Sequence, residues 1–288
     1  MSRGVAYALL AYLAWGLFPL YFRLLAGVGA VEIVLHRVVW SLVFLLALLA
    51  ALRRWQWLAP VVRQPRVLGA SALSALLLAG NWTLYVWAVM NGRVIDASLG
   101  YFINPLVNVL LGAVFLHERL RPAQWAAVAL AAAGVAWLAL RGPQWPWVGL
   151  AIAFSFGLYG LLRKTAALGA IEGLTLETMI LAPLALLLLG VWTWQGSGGL
   201  AAHDAATLAW LVGVGPVSAI PLLLFAAGAR RVTMATLGLL QYVSPTLQLL
   251  LGIWVFGEPL AGERLLGFAL IWIALAVYSA EGLWRVRG

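Results

Sequence analysis

Residues Leu99–Leu120 read LGYFINPLVNVLLGAVFLHERL, and a related stretch, LLQYVSPTLQLLLGIWVFGEPL, follows at Leu239–Leu260. The copies are 140 residues apart, and they align Pro105 with Pro245, Asn108 with Gln248, Gly112 with Gly252 and Glu118 with Glu258. An internal repeat of this kind indicates that both halves fold to one plan. The sequence therefore predicts two repeats, residues 1–141 and residues 142–288.

The composition indicates a membrane protein. Of the 288 residues, 65% are hydrophobic and 9% are charged, and the mean hydropathy is +1.01, whereas soluble domains are about 25% charged. The net charge of +9 does not predict a nucleic-acid partner, because the basic residues occur singly or in pairs between apolar segments and are better explained by membrane topology. The chain has no cysteine, so it offers neither a disulfide nor a thiolate site.

Ten apolar segments are candidates for transmembrane helices, which need about 20 residues each. They run over residues 5–25, 32–52, 67–90, 97–116, 122–140, 146–163, 170–193, 206–228, 232–256 and 262–283. The first is too long for the apolar core of a cleaved signal peptide, so we expect it to be retained as a helix. The predicted fold class is an all-α integral membrane protein with ten transmembrane helices.

Basic residues in the connections predict the orientation. With a cytoplasmic N-terminus, thirteen Lys and Arg residues fall on the cytoplasmic side and four on the outer side. The cytoplasmic set is Arg3, Arg53, Arg54, Arg63, Arg66, Arg119, Arg121, Arg163, Lys164, Arg230, Arg231, Arg285 and Arg287, and the outer set is Arg23, Arg93, Arg141 and Arg264. Since cytoplasmic loops carry an excess of Lys and Arg, we expect both termini in the cytoplasm.

Five helices per repeat is an odd number, so the second repeat must enter the membrane from the opposite side. Inverted repeats are typical of secondary transporters, whose substrate site lies near the bilayer midplane between the repeats. We expect a central cavity between helices 1–4 and 6–9, with helices 5 and 10 at the periphery. The longest hydrophilic stretches are about a dozen residues, too short for an ATPase module, so any driving energy must come from a gradient.

His36, Arg37 and Glu177 lie inside the apolar segments, where a charge is costly and is by default a functional candidate. His36 and Arg37 lie near the outer end of the second segment, and Glu177 matches Arg37 at the 140-residue offset. Arg37 is predicted to hold an anionic or carboxylate-bearing substrate, while His36 and Glu177 are candidates for proton exchange. The alternative is that Arg37 pairs locally with Glu32 or reaches the lipid headgroups, and that Glu177 does the same on the other side.

Amide, aromatic and proline residues inside the spans are candidates for lining and gating the cavity. Tyr101, Asn104 and Asn108 share one helical face by their spacing, and Gln241, Ser244 and Gln248 repeat that spacing. The predicted substrate-binding residues besides Arg37 are Trp15, Asn81, Trp82, Tyr85, Tyr101, Asn104, Asn108, Tyr159, Gln241 and Gln248. Pro105 and Pro245 each free a backbone carbonyl and are predicted to permit gating. The alternative for the amides is interhelical packing by hydrogen bonds.

The sequence gives no support to an enzyme. HExxH, GxSxG and P-loop motifs are absent from it, as is a carboxylate cluster that could do acid–base chemistry. The three histidines, His36, His117 and His203, fall at helix ends or in loops, and we expect them on different sides, which excludes one shared metal site. No cofactor and no metal is predicted.

Several blocks of the chain together resemble one family. They are Glu32–Ser41 (EIVLHRVVWS), Gly80–Trp82, Ala97–Asn108 (ASLGYFINPLVN), Glu118–Arg119, Phe154–Phe156, Glu177–Met179 and Gln241–Thr246. This set is similar to the RarD-type permeases of the EamA family in the drug/metabolite transporter superfamily. The resemblance implies two EamA repeats in a bacterial inner-membrane permease, and such proteins are often labelled by chloramphenicol sensitivity or resistance. Ser244 is a departure, since the family has glycine before the second proline.

The sequence thus predicts a secondary transporter that moves small amphipathic organic molecules, amino-acid-like or chloramphenicol-like, by alternating access. Export is the expected direction, and proton coupling through His36 and Glu177 is one option. Two alternatives stay open: facilitated uptake of a small metabolite, and a membrane scaffold or lipid-handling protein that transports nothing. The expected partners are a small-molecule substrate and the lipid bilayer, and the chain is expected to be a monomer or a homodimer.

Overall fold

The computed structural model describes residues 2–90, 94–140, 147–200, 202–255 and 262–287, and within these ranges the chain is helical with short connections. The helices are α1 (Arg3–Gly16), α2 (Phe18–Arg23), α3 (Ala30–Ala51), α4 (Leu58–Val62), α5 (Pro65–Met90), α6 (Val94–Phe115), α7 (Pro122–Leu140), α8 (Trp147–Thr165), α9 (Ala170–Gln195), α10 (Ala205–Ala229), α11 (Met234–Gln241), α12 (Val243–Trp254) and α13 (Gly262–Arg287). The prediction of an all-α fold is confirmed.

Each of the ten apolar segments overlaps helix, and six stretches in the described ranges are long and apolar enough to cross a membrane. These six are Arg3–Arg23, Ala30–Ala51, Pro65–Tyr85, Pro122–Leu140, Ala170–Gln195 and Ala205–Ala229. Gly100–Phe115 and Ala269–Tyr278 are shorter apolar helices. Together they make the chain a multi-pass membrane protein.

Two of the segments expected as single helices are each divided in two. α1 ends at Gly16 and α2 begins at Phe18, because Pro19 has no N–H for the carbonyl one turn earlier. α11 and α12 are separated at Tyr242, three residues before Pro245. Pro105, by contrast, lies inside an uninterrupted α6, so the two repeat-related prolines have different local effects.

Several connections meet at one end of the bundle, which we call the basic end because Arg54, Arg163, Lys164 and Arg230 make its contacts. Arg54 follows α3 and pairs with Glu172 at the start of α9, at 3.1 Å. Arg230 follows α10 and donates to two carbonyls of the α8–α9 connection, those of Ala166 and Leu168, each at 2.7 Å. The start of α3 lies about 30 Å away along that helix, at the opposite end.

The helices pack in recurring pairs. α6 lies along α8, and α1 lies along α10, α11 and α12; α3 contacts both α9 and α10, and α5 contacts α8 and α9. α7 packs against α13, and a side chain at Gly134 of α7 would lie 2.8 Å from the carbonyl oxygen of Gly267 in α13. Because glycine lets two backbones approach closely, these two helices form a tight pair beside the other helices.

Candidate substrate site

Arg37 lies two turns into α3 and faces the interior of the bundle. Its guanidinium carbon is 2.9 Å from the centroid of the Trp82 ring of α5 and 6.0 Å from that of Phe18 in α2, both within the range of a cation–π contact. Among the described residues it has no carboxylate partner and no hydrogen bond, and its Nε atom is buried and unsatisfied. The alternative of a local pair with Glu32 is therefore not formed in this structure.

Tyrosines from two more helices complete the surroundings of Arg37. Tyr101 of α6 and Tyr159 of α8 lie within electrostatic range of the guanidinium, and the Tyr101 ring is 5.8 Å from that of Tyr85. Five helices thus meet around one cation. Arg37, Trp82 and Tyr101 are each only half-buried although these helices surround them, so part of each side chain is left uncovered by its neighbours.

A guanidinium without a counter-ion has the chemistry to bind an anion. A buried charge without a partner is strongly unfavourable, and the planar guanidinium donates two parallel hydrogen bonds to a carboxylate. The aromatic rings beside Arg37 offer apolar faces to the remainder of a ligand. This arrangement suits a small molecule that joins an anionic group to an apolar body.

Trp15 belongs to an aromatic cluster between α1, α8 and α10. Its ring lies 5.7 Å from Phe156 and 5.5 Å from Phe225, and Phe225 stacks on Tyr159 at 6.0 Å. Tyr12 of α1 packs against both Trp15 and Phe225. The cluster ties α1, α8 and α10 together, and it places Trp15 next to Tyr159 rather than next to Arg37.

Glu177 is buried in α9, with 2% of its surface exposed. Its Oε1 atom accepts a hydrogen bond from Ser74 Oγ of α5 at 2.6 Å and another from Arg163 NH1 of α8 at 3.3 Å. Arg163 is equally buried and also donates to the carbonyls of Gly169 and Ala170. Glu177 is therefore held in a buried ion pair and does not reach toward headgroups.

Sequence reasoning missed the roles of Arg163 and Ser74. Arg163 stands next to Lys164 at the end of an apolar segment, and the pair was interpreted as a topology signal. A second signal was present, since Arg163 lies 14 residues before Glu177, close enough for the two to meet across one short helix–helix connection. Ser74 carries no pattern that marks it.

Tyr159 lies between the two charged groups. It is completely buried, and it is within electrostatic range of both Arg37 and Glu177. Its hydroxyl is near the Glu177 carboxyl group, but it has no hydrogen bond of good geometry to any described residue. Tyr159 therefore separates the unpaired cation from the ion pair.

The predicted amides make helix–helix hydrogen bonds. Asn81 donates to the Ile152 carbonyl at 2.8 Å and to Ser155 at 2.9 Å, and Asn104 donates to the Ala153 carbonyl at 2.6 Å. Further bonds run from Asn108 to Asn104 and Gln241, from Ser244 to the Tyr12 carbonyl and from Gln248 to the Trp15 carbonyl. Asn81, Asn104, Asn108 and Gln241 are each at most 4% exposed. These contacts agree with the packing alternative.

His36 is 1% exposed, and Trp40 Nε1 donates to its Nδ1 atom at 3.2 Å. Its Nε2 atom is 4.0 Å from Glu32 Oε1, which also lies 2.9 Å from His203 Nε2 and accepts the Gly199 N–H at 2.5 Å. The expectation that the histidines lie on different sides is thus wrong for His36 and His203, which meet at Glu32 because the α9–α10 connection folds back over the start of α3. No group of three or more His, Cys, Asp or Glu residues placed to hold a metal occurs in the described ranges.

A bundle of long apolar helices around an unpaired cation suits a membrane permease, and comparison with known proteins supports that class. Residues 2–140 match the EamA-like transporter family. An uncharacterized transporter of Pseudomonas aeruginosa is 48% identical over 285 residues, 99% of this chain and 95% of that protein. The protein RarD of Streptomyces exfoliatus is 46% identical over 287 residues, 99% and 90% of the two chains. The chain belongs to the RarD-type permeases of the EamA family.

A solved crystal structure also shares the fold. It superimposes with a TM-score of 0.72 over 96% of this chain and 98% of the other, at 22% identity. At that identity the likeness concerns the fold alone. Family and relatives together indicate a transporter rather than an enzyme.

Proposed function

We propose that this permease is a secondary transporter in the bacterial inner membrane that exports small amphipathic organic anions or zwitterions through a site at Arg37. The observation that carries the proposal is the cation itself, surrounded by five helices, stacked on Trp82 and without a partner in the described chain. A substrate carboxylate would supply the missing counter-charge. Trp82, Tyr85 and Tyr101 would then contact the apolar part of the molecule.

The proposal includes ten transmembrane helices in two inverted repeats, and two pairs of equivalent contacts support it. Asn104 bonds the Ala153 carbonyl, and its repeat mate Ser244 bonds the Tyr12 carbonyl. A side chain at Gly157 would meet Val107. At the equivalent helix crossing, one at Gly16 would meet Leu247. In every case the mates are 140 or 141 residues apart. The contact of α6 with α8 is therefore equivalent to the contact of α11 and α12 with α1.

The orientation is also part of the proposal. Arg54, Arg163, Lys164 and Arg230 make contacts at one end of the bundle, and an excess of Lys and Arg marks the cytoplasmic side. The basic end would thus face the cytoplasm, together with both termini. In that orientation Arg37 lies nearer the outer surface and Glu177 nearer the cytoplasm.

Alternating access follows from two similar halves that rock against each other around a central site. α7 and α13 pack chiefly on one another, which supports their place at the periphery, while α1–α3, α5, α6 and α8–α12 would surround the cavity. If a proton is exchanged for substrate, Glu177 and His36 are its candidate carriers. Glu177 faces Arg163, Tyr159 and Ser74, and His36 faces Glu32, His203 and Trp40.

The test is flux into liposomes that hold the purified protein, with labelled chloramphenicol and labelled aromatic amino acids as probes and with or without an imposed pH gradient. We expect flux above that of empty liposomes, and faster flux for an amino acid than for its amide derivative, which keeps the amino group and lacks the carboxylate. Accumulation driven by the pH gradient would support proton coupling. Equilibration without accumulation would instead support a facilitator.

Absence of flux for every probe would favour the scaffold alternative. That outcome is distinguished by ligand-dependent stabilisation. A site that binds a ligand in the folded state alone raises the melting temperature, whereas a scaffold without a solute site shows no shift with any probe.

A further inference from the structure

The ion pair of Arg163 and Glu177 closes the interior of the bundle near the basic end. Arg163 lies in the last turn of α8, and Glu177 lies two turns into α9, so both are close to the connection that joins these helices. Each is 2% exposed, and their charged atoms are 3.3 Å apart. Arg163 also donates to the Gly169 and Ala170 carbonyls, so the guanidinium is fixed to the end of the bundle.

Ser74 connects this pair to the other repeat. It lies in α5, which belongs to the first repeat, whereas α8 and α9 belong to the second. Its hydroxyl is 2% exposed and donates to Glu177 Oε1 at 2.6 Å. Movement of one repeat away from the other at this end must therefore break the bond between Ser74 and Glu177.

An apolar layer lies next to the bond. Leu78, one turn after Ser74, packs in a cluster that includes Leu174 and Tyr159, and none of the three is more than 5% exposed. Gly173 leaves room for the Arg163 guanidinium, because a side chain there would overlap NH1 and lie 2.9 Å from the central carbon. The apolar layer and the ion pair thus both fill the interior of the bundle next to the bond between Ser74 and Glu177.

The position that matches Glu177 in the first repeat forms no ion pair of this kind with any described residue. The repeat mate of Glu177 is Arg37, which makes no hydrogen bond within the described chain and stays half-buried. One end of the cavity is therefore held by a charge pair of the second repeat that Ser74 joins to the first repeat, while the equivalent position carries the cation of the proposed substrate site.

We propose that Ser74, Glu177 and Arg163 form a gate that closes the substrate cavity at the basic end and must open for each transport cycle. The proposal rests on the transport function proposed above. Arg163 is the positioning residue of this gate, since it holds the Glu177 carboxylate where Ser74 can reach it. Opening separates Glu177 from Ser74 and exposes the Leu78 layer to the basic end.

The experiment uses accessibility, which does not depend on knowing the substrate. The chain has no cysteine, so Leu78→Cys places one thiol in the closed layer. Its reaction with a membrane-impermeant maleimide is measured from each side of the membrane. Gln56→Cys marks the basic end and Ser197→Cys the opposite end, because both residues are exposed in connections at those ends.

Loss of the hydrogen bond between Ser74 and Glu177 should speed labelling of Leu78→Cys by about tenfold or more, the effect of removing a hydrogen bond to a charged group. The increase should occur only for maleimide added from the basic end. Ser74→Ala removes the bridge, and Glu177→Gln removes the charge while keeping the shape, so both should act in this direction. The matched control is Thr178→Val. That buried hydroxyl neighbours Glu177 but bonds the Leu174 carbonyl of its own helix, so labelling should not change.

Unchanged labelling in folded Ser74→Ala protein, faster labelling from the opposite end, or an equal increase in Thr178→Val would each overturn the gate. Flux measured in the same preparations separates this result from the transport proposal. If the protein moves the probes but labelling does not change, the gate proposal is contradicted and the transport proposal stands. If labelling changes but none of the probes is moved, the closure at the basic end stands and the transport proposal is contradicted.

Discussion

Arg37 and Glu177 occupy the same place in the two repeats and differ in charge and in partners. Each lies seven residues into its helix, α3 or α9. Glu177 has three charged or polar neighbours, one of them contributed by the other repeat. Arg37 has aromatic rings and no counter-ion in the described part of the chain. In the proposed transporter the pair that differs would hold the substrate and gate the cavity, whereas the matching pair Asn104 and Ser244 makes interhelical hydrogen bonds.

The same contrast holds one turn earlier in each helix. Glu32 and Glu172 are repeat mates, and both bind a connection that folds back over the helix start: Glu32 meets His203 at 2.9 Å, and Glu172 meets Arg54 at 3.1 Å. Here the acid is kept and the partner varies. The two ends of the bundle therefore differ in the base that holds the acid, an imidazole at one end and a guanidinium at the other.

The largest expected effect on stability comes from Glu177→Ala. The substitution leaves Arg163 buried without its carboxylate, which should lower the free energy of unfolding by about 3–5 kcal/mol. Thermal unfolding of the purified protein in detergent measures this. Arg37→Ala at the matching position should show no such loss, because removing Arg37 leaves no opposite charge unpaired among the described residues. Equal losses of stability for the two variants would contradict the comparison.

Arg37→Ala should instead act on transport. Removing the cation that pairs with a substrate anion should lower flux of an anionic or zwitterionic probe at least about thirtyfold, equivalent to about 2 kcal/mol or more. Arg37→Lys should retain part of the flux, because it keeps the charge but loses the paired hydrogen bonds. Arg230→Gln is the control, since Arg230 is an exposed arginine that bonds only carbonyls among the described residues. Full flux in well-folded Arg37→Ala protein would remove Arg37 from the site.

The sequence predicted the helices well because their signal is local. Apolar runs of about 20 residues and the 140-residue repeat are visible without any knowledge of packing. The division at Leu17 is visible in principle, because Pro19 removes a helical donor. The different effects of Pro105 and Pro245 are not visible, since they depend on which neighbouring helix supports each turn.

The contacts of Arg37 could be predicted only in part. Arg37 stands out in the sequence because a charge inside an apolar segment is rare, whereas its contact with Trp82 and its closeness to Tyr101 depend on how separate helices pack. Arg163 was missed since a basic residue at a segment end usually marks topology, and only the fold shows that it turns inward. The meeting of His203 with Glu32 depends on the path of a connection, for which the sequence carries no periodic signal.

Gly173→Ala tests the arginine without changing any charge. A methyl group at this position would lie 2.9 Å from the Arg163 central carbon and overlap its NH1 group, so the protein should lose about 1–3 kcal/mol, as for other overpacked sites. Gly190→Ala is the matched control in the same helix. It has open space within 4 Å, and alanine there should add about 0.5–1 kcal/mol of helix stability. A loss at Gly190 as large as that at Gly173 would show that α9 needs flexibility rather than room for Arg163.

The smallest expected effects come from the positions where the repeats agree. Asn104→Ala and Ser244→Ala each remove a hydrogen bond to a carbonyl of the facing helix, and such bonds inside membrane proteins contribute about 0.6 kcal/mol on average. Asn104→Ala should cost somewhat more, because Asn104 also accepts a bond from Asn108. Thermal unfolding of both variants, with flux as a second measurement, checks this. A large loss of flux with little loss of stability in Asn104→Ala would indicate that the amides contact substrate rather than only pack. The functional difference between the repeats would then extend beyond Arg37 and Glu177.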